Sequence, residues 1–501
     1  MLLEVILLRT SLTALIRLLL DKKRAILYNH MTMRTAILTF AIALLCGWSS
    51  LAAETKPNIV FILADDLGYG DLSCYGQEKF ATPNIDRLAS EGIKFTQFYA
   101  GNTVCAPSRC SLMTGYHTGH CFIRGNGDQP ATLGNIPIPP ETVTIAKVLK
   151  KSGYATGCFG KWGLGGPLSE GAAFRQGFDI FFGYYDQRHA HHYYPDHLYK
   201  NEKRIDLDGK TYSHDLIEQE ALDFIRTNKE KAFFCFLPVT IPHAAMQVPE
   251  EFVSPWRTKF SEFEDTIGRY SFETEVRNPV AAFPGMMTRL DLTVKRILDL
   301  LEELDLDDNT LVMFSSDNGP HREGGHRSDL FKSAGSLRGI KRDMYEGGIR
   351  VPMLVRWKGK IAPGTVSEHI GAFWDLLPTC AELAGIPSTD YPNDIDGLSF
   401  LPTLFGKLEV QKQHPYLYWE FYEQGGKIAA RYEQWKGIQL NVNETFGKPD
   451  APIEVYDLKN DLSETKNVAT EQPEIVEKFR SIFKEAHTTS PLFNFTSEIS
   501  R

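Results

Sequence analysis

No basic stripe runs along this chain, and its formal charge of -9 over 501 residues is modest. A protein that tracks phosphates needs clustered Lys and Arg, so nucleic acid is not an expected partner. Internal repeats and low-complexity segments are also lacking, which leaves an ordinary globular body. Outside the N-terminal region no apolar run is long enough to insert into a bilayer, so no stable membrane anchor is expected. The eight cysteines lie far apart, and no disulfide pairing can be read from their spacing. Cys158 and Cys235 fall inside apolar strand-like runs, which suits buried free thiols. What is present is a 43% hydrophobic content, enough for a large core in a chain longer than one usual domain.

The N-terminal residues 1–53 read as an extension and a signal. Met33-Arg34-Thr35 is a short basic region, Ala36 to Trp48 an apolar core, and Ser49 to Ala53 a run of small residues. That is the layout of a secretory signal peptide cleaved near Ala53. Translation is then expected to start at Met31 or Met33, and the mature protein to be exported, periplasmic or secreted.

From there strand-like and helix-like patterns alternate. Asn58 to Ala64 is a continuous apolar run, as in a strand buried on both faces. Thr82-Pro83 opens a helix as N-cap and first residue, and Ile93 to Tyr99 reads as a strand. Thr142 to Lys151 and Asp215 to Asn228 read as helices, and Tyr154 to Phe159 and Ala232 to Leu237 as strands. Met286 to Leu304 carries Leu290, Val294, Ile297, Leu298, Leu301 and Leu304 on one helical face. Thr310 to Ser315 and Pro352 to Trp357 are further strands, and Trp374 to Leu383 a further helix. This order predicts an α/β fold over 54–386, a large mixed and mainly parallel sheet flanked by helices. Beyond Pro387 short aromatic-rich strands and a helix from Pro473 to Ala486 predict a small antiparallel sheet with a closing helix, an α+β subdomain over 387–501.

In a parallel sheet, ligands sit beyond the carboxyl ends of the strands. Four predicted strands deliver polar residues there: Asp65-Asp66, Lys161, His243 and Asp317-Asn318. The aspartates and the asparagine offer oxygen donors only, which suit hard cations such as Ca²⁺ or Mg²⁺. Arg109, Lys161, His243 and Lys341 would form a cage for a tetrahedral oxyanion such as sulfate or phosphate. Cys105 lies in Cys105-Ala-Pro-Ser-Arg109. With Pro107 taken as the first helical residue, Cys105 sits just ahead of a helix N-terminus, where its pKa would be lowered.

These residues carry a family resemblance. Cys105-x-Pro107-Ser108-Arg109 with Leu112-x-Thr114-Gly115 resembles the motif of the type I sulfatases, the arylsulfatase family of the alkaline phosphatase superfamily. Gly160-Lys161-Trp162-Gly163, Pro242-His243, Asp317-Asn318-Gly319, Leu337 to Lys341 and Tyr345-Glu-Gly-Gly348 resemble its further motifs, in order. So does the late Val455-Tyr-Asp-Leu458 with Glu464 and Asn467. The resemblance implies an alkaline-phosphatase-like fold and sulfate-ester hydrolysis. It implies Cys105 oxidised by a formylglycine-generating maturation enzyme, and Ca²⁺ held by Asp65, Asp66, Asp317, Asn318 and residue 105. Arg109 would then stabilise the hydrated aldehyde, and Lys161, His243 and Lys341 would hold the sulfate and the leaving oxygen. One hydroxyl of the hydrate would attack sulfur and displace the sugar or aryl alcohol; the second would then lose its proton, and collapse of the hemiacetal would expel sulfate and restore the aldehyde.

One position departs from the pattern: many members carry His two residues after the motif lysine, where this chain has Gly163. His117, His120 and His321 are the candidates to supply the missing base. Substrate contacts are expected from Gln187, His189 and His191 in the loop 187–194, from Arg124 and Asn126, and from His117, His120 and His321. The loops and the motif variants around His120 and His321 point to a sulfated carbohydrate. A phosphoesterase of the same superfamily, or a non-catalytic glycan-binding relative, are the alternatives. The first would call for a Ser or Thr nucleophile and a His-rich pair of metals.

Overall fold

The computed structural model describes residues 15–28, 56–271 and 274–496. Residues 15–28 form a helix within a separate N-terminal unit, and Lys56–Arg501 form the second unit. The signal-peptide segment over 33–53, with Cys46, lies outside the described residues. Among the described residues no helix is long and apolar enough to cross a membrane.

The second unit is built on a ten-stranded sheet. Its strands are β1 (Asn58–Ala64), β2 (Ile93–Phe95), β3 (Ala155–Lys161), β4 (Ile180–Tyr184), β5 (His197–Lys200), β6 (Lys203–Asp206), β7 (Phe233–Pro238), β8 (Thr310–Ser316), β9 (Met353–Arg356) and β10 (Thr365–Ser367). They lie side by side in the order β10-β2-β9-β8-β1-β7-β3-β4-β5-β6. From β8 to β4 all neighbours are parallel. β9 runs antiparallel to both its neighbours, and the β5–β6 hairpin closes the far edge. The sheet is thus mixed and mainly parallel, as the alternating pattern predicts.

The helices that pack on the sheets include α1 (Pro83–Ser90), α2 (Cys105–Thr114), α3 (Ile145–Lys151), α4 (Ser213–Thr227), α5 (Pro279–Glu303), α6 (Leu376–Leu383) and α7 (Pro473–Glu485). Side chains alternate across a strand, so β1 feeds two cores at once. Ile59, Phe61 and Leu63 pack on one face with residues of α2, α3 and α6. Val60, Ile62 and Ala64 pack on the other with residues of α1, α4 and α5. A strand covered on both faces has no reason to carry polar residues until it ends, which is why β1 reads as one apolar run.

The C-terminal region forms an antiparallel meander of β11 (Leu417–Phe421), β12 (Lys427–Tyr432), β13 (Trp435–Leu440) and β14 (Glu454–Asp457). Ile428, Ala430 and Val455 face α7 through Phe479, Ile482 and Phe483. Trp419, Ala429 and Ile438 face Tyr99, Val104 and Trp374 beside α2.

Three local expectations change. The strand expected over Ile93 to Tyr99 is two pieces, β2 and Phe98–Tyr99. Thr82 does not cap α1; its hydroxyl instead bonds Ser73 and Asp86. α5 starts at Pro279 rather than Met286, because Asn278 accepts the Ala281 N–H and Pro279 suits the first turn.

Candidate active site at the carboxyl ends of four strands

The four strands that deliver polar residues are adjacent, in the order β8-β1-β7-β3. Neighbouring strands lie about 4.8 Å apart, so their carboxyl ends span only about 15 Å. β1 ends at Ala64 and is followed by Asp65-Asp66, β8 by Asp317-Asn318, and β3 ends on Lys161 itself. His243 stands five residues beyond the end of β7. Backbone bonds lock these ends together: Asp317 N–H donates to Ala64 O at 3.0 Å, and Asp65 N–H to Ile241 O at 3.3 Å.

α2 brings Cys105 over this edge. The helix begins at Cys105 itself, so Pro107 is its third residue and not its first. All ten residues of α2 are buried, unlike the usual half-buried helix. The Cys105 Sγ lies 3.5 Å from Asp65 Oδ1 and 3.4 Å from Lys161 Nζ. The expected lowering of its pKa is not found. Burial, with Asp65 and Asp317 close by, pushes the thiol up against the pull of Lys161 and Lys341.

Each acid here is matched by a base. Lys161 Nζ donates to Asp65 Oδ2 at 2.6 Å, and Lys341 Nζ to Asp66 Oδ2 at 2.8 Å. Arg109 gives Nε and Nη2 to Asp317 Oδ2 at 3.1 and 2.7 Å, and Nη1 to the Lys161 carbonyl at 2.6 Å. Arg109 therefore ties α2 to β8 and β3. Ser108 Oγ adds a bond to Asp317 O at 2.6 Å. Burial raises the Asp65 carboxyl, but Lys161, His243 and Arg109 outweigh it and hold it well below the usual range. Asp317 goes the other way, pushed up to about 7 by burial and by Asp65. Burial opposes the charge on Lys161 and Lys341, yet the adjacent carboxylates keep both pKa values above the ordinary lysine value.

The donor set fits a hard cation. Asp65, Asp66, Cys105 and His243 present ligand atoms within 4.8 Å of one another. Asn318 gives its amide N–H to Asp66 Oδ1 at 2.7 Å, while its Oδ1 is buried and has no hydrogen-bond partner. A buried acceptor beside three carboxylates is what an oxygen-seeking metal would satisfy. The internal ion pairs mean that charge repulsion alone does not demand the metal.

His243 stands beside Lys341. Its Nδ1–H donates to Ala244 O at 2.5 Å, so Nε2 is the lone-pair nitrogen and accepts from Lys341 Nζ at 2.9 Å. Burial and Lys341 keep the ring neutral. The His191 ring lies parallel to it, centroids 4.3 Å apart, with Tyr270 edge-on to both. His321 also stacks on His243, with centroids 5.6 Å apart.

The other candidates divide. Gln187 is buried next to Gly163. Asn126, exposed at the rim, accepts the Ala106 N–H at 3.1 Å. His321 has both nitrogens engaged, Nδ1 accepting from Glu323 N–H at 3.0 Å and Nε2 donating to Pro242 O at 3.2 Å, so it is not poised as a base. His117 and His120 lie past the other end of α2, about 15 Å along its ten residues. Both bond Asp396 and stack on each other, and burial drops His117 to about 4. The structure does not bring them to the cluster around Cys105. Arg124 is spent on the Cys121 and Thr488 carbonyls and on Glu420. His189 turns to His197 and Asp196 instead. Glu323 and Arg342 form a pair at 2.7 Å on the Lys341 side, and Arg342 and Tyr270 carried no motif that could have flagged them.

The sheet, its helix layers and the small C-terminal sheet define the alkaline-phosphatase-like fold. A family profile described as sulfatase matches residues 57–386, and one described as N-sulphoglucosamine sulphohydrolase, C-terminal, matches 340–488. Arylsulfatase A of Homo sapiens is 32% identical over 464 residues, covering 87% of this chain and 88% of its own. N-acetylgalactosamine-6-O-sulfatase of Bacteroides thetaiotaomicron is 29% identical over 499 residues, covering 86% and 93%. The crystal structure of Ps i-CgsB superposes with a TM-score of 0.73 at 26% identity, covering 89% of this chain and 96% of that one. The same protein has been solved in complex with k-i-k-neocarrahexaose. The chain belongs to the sulfatase family, enzymes that hydrolyse sulfuric esters.

Proposed function

We propose that this protein removes sulfate from a sulfated carbohydrate, using Cys105 in its formylglycine form and a bound Ca²⁺. The observation that carries this reading is Cys105 wedged between Lys161 and Asp65, at a strand edge that also gathers Arg109, His243 and Lys341. Relatives named for sulfated amino sugars support the carbohydrate.

Asp65, Asp66, Asp317 and Asn318 would hold the cation, which supplies Lewis-acid polarisation of the sulfate when bound. Arg109 keeps α2 and residue 105 at a fixed distance from the strand ends. The Lys161 and Lys341 ammonium groups stand where they can take the sulfate oxygens once the carboxylates serve the metal. Lys341 Nζ already donates to His243 Nε2 at 2.9 Å, and this pair can protonate the departing sugar oxygen. We further propose export of the mature chain and maturation of Cys105 by a formylglycine-generating enzyme, with residues 387–501 completing a catalytic body over 54–386.

Mass spectrometry of the peptide that contains Cys105, from the native host, tests the reading. The expected residue is lighter than cysteine, because sulfur is exchanged for oxygen. An unmodified thiol in all of the material would overturn the mechanism. Cys105→Ala should abolish sulfate release while leaving the circular dichroism spectrum unchanged.

A further inference from the structure

Position 163 follows Lys161 by two residues and is buried. Gly163 has φ +78°, and a Cβ built there would stand 2.7 Å from Gln187 Nε2 and 3.3 Å from its Cγ. The Gln187 side chain thus fills the space into which a side chain at 163 would project. Gln187 is 7% exposed, and its Nε2 is buried without a hydrogen-bond partner. An unpaired buried donor destabilises the fold unless something accepts its proton.

The surroundings say where that acceptor would come from. Gln187 N–H donates to Asn135 Oδ1 at 3.0 Å, and Asn135 Nδ2 holds Gly127 O and Asp128 Oδ1 at 3.2 and 3.1 Å. The same segment gives Asn126 Oδ1 to the Ala106 N–H at 3.1 Å, one residue from Cys105. On the other side, Gly163 leads back through Trp162 to Lys161, whose Nζ is 3.4 Å from Cys105 Sγ. The segments on either side of the orphan amide thus reach the start of α2, one at Cys105 through Lys161 and one at Ala106 through Asn126. Four residues further along its own loop, His191 packs on His243.

We infer that Gln187 is a substrate-binding residue, whose amide donates a hydrogen bond to an oxygen of the sulfate group held over residue 105. An amide carries no charge and takes no proton at any working pH, so its contribution is donation and orientation rather than base catalysis. The ligand class is a sulfate monoester or free sulfate, whose tetrahedral oxygens offer acceptors in several directions at once. This inference rests on the sulfatase reading of the site.

Calorimetric titration of the full-length, Ca²⁺-loaded protein with sodium sulfate tests it, with melting temperatures measured alongside. Gln187→Ala should weaken sulfate binding about tenfold, the size of one lost hydrogen bond to a charged group. Gln187→Glu, close to isosteric, should weaken it further and in a salt-dependent way, because it sets a carboxylate against the anion. Sulfate affinity unchanged in both variants would overturn the inference. So would equal losses in both that run parallel with a fall in melting temperature, since that is a packing role. A wild-type protein that binds no sulfate would overturn the reading beneath and this inference with it.

Discussion

His243 and His117 have similar burial and opposite situations, and they separate chemistry from packing at the residue scale. His243 offers Nε2 to Lys341 among the clustered acids, whereas His117 is bonded to Asp396 and packed against Trp374 and Tyr418. His243→Ala should lower kcat/KM by about 10²-fold or more per folded molecule, as for loss of a positioned acid–base group. His117→Ala should do the reverse: a loss of about 2–4 kcal/mol of stability from a buried ring, and kcat/KM within about threefold per folded molecule. Steady-state kinetics and thermal melts on the two variants check both. The sequence could single out both histidines but could not separate them. A histidine near a motif is legible, while its direction depends on partners such as Asp396, 279 residues away from His117. The thiol of Cys105 shows the same limit. A helix start suggests a lowered pKa, but burial is set by the whole fold and wins.

At the scale of elements, β1, β3, β7 and β8 were legible because strands covered on both faces must be apolar until they end. The β5–β6 hairpin was not, since its residues are partly exposed and carry no apolar run. α5 was seen only from Met286 because Pro279 and Pro284 interrupt the pattern upstream. The order β8-β1-β7-β3, which makes the site, is a property of pairing and not of any one segment. Gly160 shows how tightly that pairing is built. It has φ +134°, and a Cβ there would stand 2.1 Å from Pro238 O on β7. Gly160→Ala must therefore separate β3 from β7 one residue before Lys161. The expected cost is ~3 kcal/mol or more, with Lys161 displaced and activity lost even in the fraction that folds. Yield of soluble protein and activity per folded molecule check this, read against a Gly153→Ala control that shares the positive φ, +90°, but has open space at its Cβ position.

At the scale of the whole molecule, the C-terminal sheet supports the site from behind. Trp419 Nε1 donates to Ala100 O at 2.9 Å, Asn102 Nδ2 to Glu420 O at 2.5 Å, and Glu420 N–H to Thr118 Oγ1 at 2.8 Å, so β11 grips the chain on both sides of α2. A chain ending at residue 386 should consequently be insoluble or molten, and limited proteolysis should not release a stable fragment with that end. A buried acid pair joins the same two regions. Lys436 Nζ on β13 donates to Glu346 Oε1 at 2.8 Å, and Glu464 Oε2 accepts the Glu346 N–H at 2.7 Å. Burial raises the Glu346 carboxyl, but Lys436, Arg350 and Arg431 outweigh it and bring it to about 2. Burial and the Glu346 charge push Glu464 up to about 8, against Lys436. The folded protein thus keeps a proton on Glu464 that the unfolded chain releases near the ordinary glutamate value of 4.5. Stability falls as pH rises from that value toward 8 and the contribution levels off above it, with a slope of at most ~1.4 kcal/mol per pH unit from this group. Glu346 acts in the opposite sense: its contribution is complete above the unfolded value of 4.5 and is lost as pH falls toward 2. Glu464→Gln keeps an acceptor for the Glu346 N–H and removes the raised titration. Its melting temperature should match the wild type at pH 5 and exceed it at pH 8. A parallel offset at both pH values would mean that Glu464 holds no proton in the folded protein.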